Sequence, residues 1–334
     1  MRYIIVGAGA VGGAIGGRLA ESGHDVVLVA RGAQYEALRT GGLRLVTPDG
    51  PRTHRLSVVD RPEALDLTAD DVLVLAVKTQ DTAAALDAWS VRPVEGGSTA
   101  GERLPLVCAQ NGVESERLAL RRFRQVYGMC VWLPATFVEP GEVSAAGTPL
   151  TGILHLGRYP TGTDGTARLI AADLEKSKLL APVVPDVMRW KYGKLLANLA
   201  NAIEAVTGPL AEQDALALFE RALAEGQAVL AAAGIDPVGQ EEQAEARAGW
   251  IRFEPFDGSP HGGGSSWQSL SRGTGTIEAD FLNGEIVLLG RLHGVPTPVN
   301  DVLRHTANTF AREGREPGSM AVADLVALVD AGIS

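Results

Sequence analysis

Lys194, Asn198 and Asn201 interrupt a Leu- and Ala-rich stretch from Trp190 to Thr207. At about 100° per residue, offsets of four and seven put all three on one stripe of a helix. An amine and two amides among apolar neighbours are costly to bury without a ligand, yet the same pattern decorates solvated helix faces, so spacing alone leaves both readings open. The chemistry such a lysine can do is specific. As ammonium it stabilises a developing oxyanion and then gives up a proton, once its surroundings bring its pKa toward the working pH.

Other groups stand further along the chain. Ser265 and Ser266 follow the run Gly262-Gly263-Gly264, and Glu278 and Asp280 lie in the segment Thr276–Gly284. Each has an ordinary account as well, Thr276 as a helix cap, the two acids as first-turn residues favoured by the helix dipole, and Pro298 as a helix start.

A second constellation sits at the beginning. Gly7-Ala8-Gly9-Ala10-Val11-Gly12 follows the apolar run Tyr3–Val6 at once and opens a helical stretch. Gly7 permits a tight turn, Gly9 lets the backbone approach a pyrophosphate, and Gly12 lets helix and strand pack closely, with the helix N-terminus facing the negative charge. Ala10 and Val11 complete this candidate cofactor turn. After the next apolar run, Asp25–Val29, come Ala30 and Arg31 where an acidic residue would accept from a ribose 2′-hydroxyl. A guanidinium there suits a 2′-phosphate and favours NADP(H), although it is also an ordinary solvated loop cation. Lys78 in Val77-Lys78-Thr79-Gln80 ends a further apolar run, and Asn111 in Gln110-Asn111-Gly112 sits after the next one. Either is a turn residue or cap in isolation; together they point into one crevice at the carboxyl ends of a parallel sheet.

The elements that must hold these groups follow from pattern. Tyr3–Val6, Asp25–Val29, Val72–Val77 and Leu106–Ala109 read as buried parallel strands with helical crossovers. Gly42–Val46 and His54–Val58 flank Pro48-Asp49-Gly50 as a hairpin, and Val91–Arg103 reads as a surface loop. Val131–Arg158 is β-like, with a turn at Glu139–Glu142. Beyond Pro182 and Pro185 the pattern becomes helical, interrupted by a flexible stretch at 254–266 that is expected to close over a ligand. Two domains are expected, 1–183 of dinucleotide-binding type and 184–334 all-helical.

Composition narrows the function classes. The 334 residues carry 40 acidic against 30 basic side chains, a formal charge of -10 that disfavours nucleic acid and anionic lipid as partners. Cys108 and Cys130 are the only cysteines, too few for a disulfide scaffold, and neither they nor His24, His54, His155, His261, His293 and His305 have metal-ligand spacing. No apolar run reaches membrane-spanning length, and Met1 leads straight into the first strand, so a cytoplasmic setting without a leader peptide is expected. No serine sits in a nucleophile-elbow motif, which leaves hydrolase chemistry unsupported.

The ordered set resembles the ketopantoate reductases, also called 2-dehydropantoate 2-reductases, over nearly the whole chain. It rests on GAGAVG at 7–12, Arg31, VKTQ at 77–80, QNG at 110–112, K-x-x-x-N at 194–198, SS at 265–266, E-x-D-x-x-N-G at 278–284 and GVPTPVN at 294–300. The resemblance implies a Rossmann domain followed by an all-helical domain like that of 6-phosphogluconate dehydrogenase, with NADP(H) as cofactor and a small keto acid as substrate in the cleft between them. It implies Lys194 as general acid, Asn198 as the adjacent substrate-binding residue, Ser266 on the substrate carboxylate and Glu278 on the substrate hydroxyl. Asn111 is implied near nicotinamide and substrate, Arg31 and Lys78 at the adenosine end. Two departures stand out. Where the family often carries a second Asn, eight residues after the lysine, this chain has Ala202, with Asn201 one position earlier as its substitute. Trp267 replaces a common Met and is expected to reshape the pocket. Another 2-keto acid or an imine as substrate, and a non-catalytic NADP(H)-sensing role, are the alternatives. The Ala-rich second domain is a candidate homodimer surface.

Overall fold

The computed structural model describes residues 1–253 and 263–333, which divide into two compact units. The first comprises Met1–Lys191 and the stretch that begins at Gln240; the second comprises Tyr192–Gly239 and the described residues from Gly263 onward.

The first unit begins β1 (Arg2–Val6), α1 (Ala10–Glu21), β2 (Asp25–Val29), α2 (Gly32–Gly41), β3 (Leu43–Thr47), β4 (Gly50–His54), β5 (Ser57–Val59) and β6 (Asp71–Leu75). It continues with α3 (Thr82–Ser90), α4 (Ala100–Arg103), β7 (Pro105–Cys108), α5 (Ser115–Leu120), β8 (Gln125–Trp132), β9 (Ala135–Glu139), β10 (Glu142–Ala145), β11 (Gly147–Pro149) and β12 (Gly152–Arg158). Then follow α6 (Gly165–Lys176), β13 (Leu179–Leu180) and α7 (Val187–Asn198), whose last turns belong to the second unit. The main sheet has the order β13-β12-β8-β7-β6-β1-β2-β5, parallel from β5 to β8 and antiparallel between β8 and β12. The strand order reverses at β1 and β6, the switch point at which an open α/β sheet leaves a crevice at its carboxyl edge.

A second sheet, β4-β3-β10-β9, lies on the other side of α1. The sequence of α1 explains how one helix serves two sheets. A Cβ at Gly16 would stand 3.0 Å from Leu28 of the main sheet, whereas one at Gly13 would stand 2.8 Å from Val143 and one at Gly17 2.9 Å from Leu45 of the second sheet. Glycines inside a helix cost about 1 kcal/mol each; here the close approach they allow on both faces offsets that cost through burial.

Several expectations change in detail. The hairpin pairs β3 with β4, whose strand starts at Gly50, while Ser57–Val59 joins the main sheet instead. Within Val91–Arg103 lies a short helix, α4, closed by a capping box between Thr99 and Glu102. The second half is not helical throughout: α10 (Gln240–Arg247) is followed by β14 (Ile251–Phe253), which pairs antiparallel with β11 in the first unit. The chain beyond Pro182 also opens with the isolated bridge Leu156–Val183 rather than with helix, which begins at Val187.

The second unit is helical among its described residues. It contains α8 (Ala200–Thr207), α9 (Gln213–Ala232), α11 (Ser265–Ser271), α12 (Asn283–His293), α13 (Pro298–Glu313) and α14 (Val322–Ile333), with a 3-10 turn at Glu278–Phe281. Pro298 starts α13 as its type suits. The core gathers Ile203, Leu218, Leu303, Phe310 and Leu325.

Candidate functional site

On the first unit, the turns after β1, β2, β6 and β7 converge. Gly7 has φ +105°, and a Cβ there would meet Val77 N at 2.8 Å; one at Gly12 would meet Gly7 O at 2.1 Å. The glycine turn is therefore pressed against the strand end that carries Lys78. At Gly9 the same test finds nothing within 4 Å. Gly9 is the N-cap of α1, whose first turn, including Ala10 and Val11, holds no acidic residue. Backbone N–H groups at such a helix start, with open space before them, fit the pyrophosphate of a dinucleotide.

Two hydrogen bonds that sequence reasoning missed fix this turn. Gln34 Nε2 donates to Ala8 O at 2.7 Å, and Gly141 N donates to Gln34 Oε1 at 2.7 Å, so α2 and the β9–β10 hairpin both brace the glycine loop. Arg31 caps α2 in extended conformation, exposed, beyond the carboxyl end of β2. Lys78 is half-buried at the end of β6, and Asn111, also half-buried, follows β7. Their turns are tied together: Gln110 Nε2 donates to Val77 O at 2.8 Å, and Thr79 Oγ1 to Asn111 O at 3.5 Å.

The second unit holds the polar set. Lys194 and Asn198 lie one turn apart on α7, both half-buried. Asn198 Nδ2 is covered from solvent, and among the described residues it has no hydrogen-bond partner. The expected single helix through Thr207 is broken: Leu199 separates α7 from α8, its N–H bonding to Leu196 O at 3.3 Å. Asn283 holds the break, donating through Nδ2 to Leu199 O at 3.2 Å and to Asn300 Oδ1 at 3.0 Å. Asn300 in turn donates to Ala222 O and Glu225 Oε2. The two asparagines of the E-x-D-x-x-N-G and GVPTPVN segments thus serve the backbone that separates Asn198 from Asn201.

Asn201 lies beyond the break, half-buried, with Oδ1 3.2 Å from where a Gly264 Cβ would stand, and Ala202 is buried. Glu204, on the same helix, accepts from Gly264 N at 2.8 Å and so closes the N-terminus of α11. Ser266 sits on that helix, 3% exposed. Trp267 turns toward Gly318, where a Cβ would meet its ring at 2.8 Å. Glu278 is buried in the 3-10 turn, whose N-cap is Ile277 rather than Thr276. Arg272 is exposed by area, yet the protein packed about it lowers its pKa, while the Glu278 charge pulls the other way. Asp280 is spent on Arg304 and Asn308.

His155 is buried and stacked on Trp190 at 3.7 Å, and burial pushes its pKa down to about 4. Residues 254–262 of the glycine-rich stretch, His261 among them, lie outside the described residues, and with them most of the expected closing loop. Among the described residues no group of three or more His, Cys, Asp or Glu is placed to hold a metal ion, and no helix is long and apolar enough to cross a membrane.

A parallel α/β sheet whose first strand runs through a glycine turn into a helix, followed by a helical unit, is a Rossmann-type dinucleotide-binding architecture. The chain belongs to the ketopantoate reductase PanE/ApbA family: the family's model matches residues 3–161 and that of its C-terminal domain matches 186–310. A 2-dehydropantoate 2-reductase of Mesorhizobium japonicum is 32% identical over 344 residues, covering 94% of this chain and 98% of the relative. One from Archaeoglobus fulgidus is 30% identical over 311 residues, covering 90% and 95%. The crystal structure of a PanE/ApbA family ketopantoate reductase from Ralstonia eutropha JMP134 superposes with a TM-score of 0.77 at 27% identity, over 95% of this chain and 100% of that one. D-Mandelate dehydrogenase with NADH and anilino(oxo)acetate shares the fold, with a TM-score of 0.79 at 22% identity, over 94% and 99%.

Proposed function

We propose that this protein is an NADPH-dependent reductase that converts 2-dehydropantoate to pantoate. One observation carries the reading: Asn198, a turn after Lys194, holds a covered amide nitrogen for which no described residue supplies an acceptor. A ligand carboxylate or hydroxyl satisfies such a donor, and an unmet one is costly. Family membership and relatives named for this reaction support the choice of keto acid.

The bound nicotinamide supplies hydride to the keto carbon. The remaining work falls to this chain. Gly7, Gly9, Ala10, Val11 and Gly12 seat the pyrophosphate, and the Arg31 guanidinium pairs with a 2′-phosphate that no carboxylate at this strand end repels. Lys78 and Asn111 border the cofactor from the ends of β6 and β7. Lys194 stabilises the charge developing on the carbonyl oxygen and donates the proton that completes the alcohol. Asn198 and Ser266 orient the acid group, and Glu278 holds the hydroxyl at the far end and borders the cofactor, so specificity rests on buried polar pairing. In this reading the reaction is cytoplasmic, a step toward pantothenate and coenzyme A, carried out by a homodimer.

A second reading keeps the chemistry and changes the substrate to another 2-keto acid or an imine. It is favoured by Asn201, whose carbonyl lies against Gly264 beside the Glu204 carboxylate, while the family's Asn position is the buried Ala202. Rates over Michaelis constants for a keto-acid panel, with NADPH and with NADH, separate the two. 2-Dehydropantoate with NADPH should rank first; a low rank favours the second reading, and no turnover with any carbonyl compound would leave only NADP(H) sensing.

A further inference from the structure

The first unit contains an ion pair that the reaction as described does not use. Lys191 on α7 and Glu116 on α5 are joined through Nζ and Oε1, with side-chain exposures of 2% and 0%. The same amine donates to Gln110 O at 3.1 Å. Two charges so completely removed from water gain little net stability against an apolar pair of similar volume, so their retention asks for a role beyond holding the fold. Burial raises the Glu116 pKa, and the Lys191 charge opposes that shift, as expected where each ion is the other's compensation.

The peptide that Lys191 grips leads directly into Asn111. The Gln110 side chain passes the constraint on, donating to Val77 O at 2.8 Å, the carbonyl before Lys78, and to Thr82 Oγ1 at 2.8 Å. Thr79 Oγ1 then returns to Asn111 O at 3.5 Å, and Thr82 shares a hydrogen bond with Ser115 on the helix that carries Glu116. The turns after β6 and β7 are thereby one hydrogen-bonded unit, and its charged anchor comes from the helix that three residues later carries Lys194.

We infer that Lys191 and Glu116 are a positioning pair for the nicotinamide cofactor: the amine sets the Gln110–Gly112 turn and, through Gln110, the Val77–Thr79 turn. This rests on the reading that Lys78 and Asn111 face the cofactor. Removing one partner alone strands a buried charge and unfolds marginal proteins, so the informative change replaces both with apolar residues of similar size, Lys191→Met with Glu116→Leu.

The double variant should keep its melting temperature within a few degrees, while the dissociation constant for NADPH, read from tryptophan fluorescence without substrate, rises about tenfold, the order expected when contact groups lose their exact placement. The Michaelis constant for NADPH should rise with it, and kcat should change less. If that double variant fails to fold, Lys191→Met with Glu116→Gln, which removes both charges and keeps the shape at position 116, takes its place under the same criterion. A folded variant that binds NADPH as tightly as wild type overturns the inference. Wild-type protein that binds no NADPH overturns the cofactor reading beneath it.

Discussion

Gly9 and Gly12 lie three residues apart, yet the surroundings of their missing side chains predict opposite outcomes for Ala substitution. In Gly12→Ala the new methyl would stand 2.1 Å from Gly7 O and 2.9 Å from Ile5 Cγ2. Backbone and strand must both yield, an overpacking cost of about 3 kcal/mol, or roughly 10 °C of melting temperature for a domain of this size. In Gly9→Ala the methyl meets nothing within 4 Å, and the residue already has negative φ at -86°. The fold then loses only the cap preference of glycine over alanine, about 0.5 kcal/mol. The methyl does, however, occupy the approach to the α1 N-terminus, so NADPH affinity should fall at least about tenfold, or about 1.4 kcal/mol. Differential scanning fluorimetry and equilibrium titration of NADPH give both numbers. A Gly9→Ala protein with undiminished affinity would refute the assignment of this turn to the pyrophosphate; a Gly12→Ala protein with wild-type melting would refute the packing argument.

Arg31→Ala should raise the Michaelis constant for NADPH about tenfold and leave that for NADH unchanged, since only the 2′-phosphate loses its partner; equal effects on both would count against the assignment. Glu204→Ala removes the acceptor of Gly264 N and should destabilise the start of α11 by about 1 kcal/mol, raising the Michaelis constant for the keto acid without changing NADPH affinity; an unaltered keto-acid constant would contradict the link to Ser266. His155 is held near 4 in the folded chain by burial, against about 6.5 when unfolded. The unfolded chain therefore binds more protons between those values, so the contribution is complete above pH 6.5 and is lost as pH falls toward 4, by about 3 kcal/mol. His155→Gln should flatten the dependence of melting temperature on pH in that window; an unchanged slope would contradict it.

The parts of the site that the sequence revealed are those whose constraints are local. The GAGAVG turn must follow a strand and open a helix within a few residues, and Gly7, Gly9 and Gly12 meet those demands within one turn of backbone. The positions of Arg31, Lys78 and Asn111 in the fold were legible because each lies just beyond an apolar run that proved to be a strand. What stayed hidden depends on distant partners. The break at Leu199 is held by Asn283, 84 residues away, so a continuous helical pattern gave no sign of it. The second sheet pairs β3 with β10 across the intervening α/β units, and the Gly13 and Gly17 faces that accept it look like mere helix weakness in isolation. Lys191 has no partner near it in sequence; only the fold brings Glu116 and Gln110 to it, at separations of 75 and 81 residues.

In the proposed reaction the Lys194 amine delivers the proton while bound NADPH would supply hydride to the same carbonyl. Single-turnover oxidation of enzyme-bound NADPH by 2-dehydropantoate, compared between wild type and Lys194→Ala, tests it most directly. The variant should bind NADPH normally and lose at least about a hundredfold in the single-turnover rate, the scale of a removed general acid. A variant that turns over at the wild-type rate would rule out Lys194 as the proton donor.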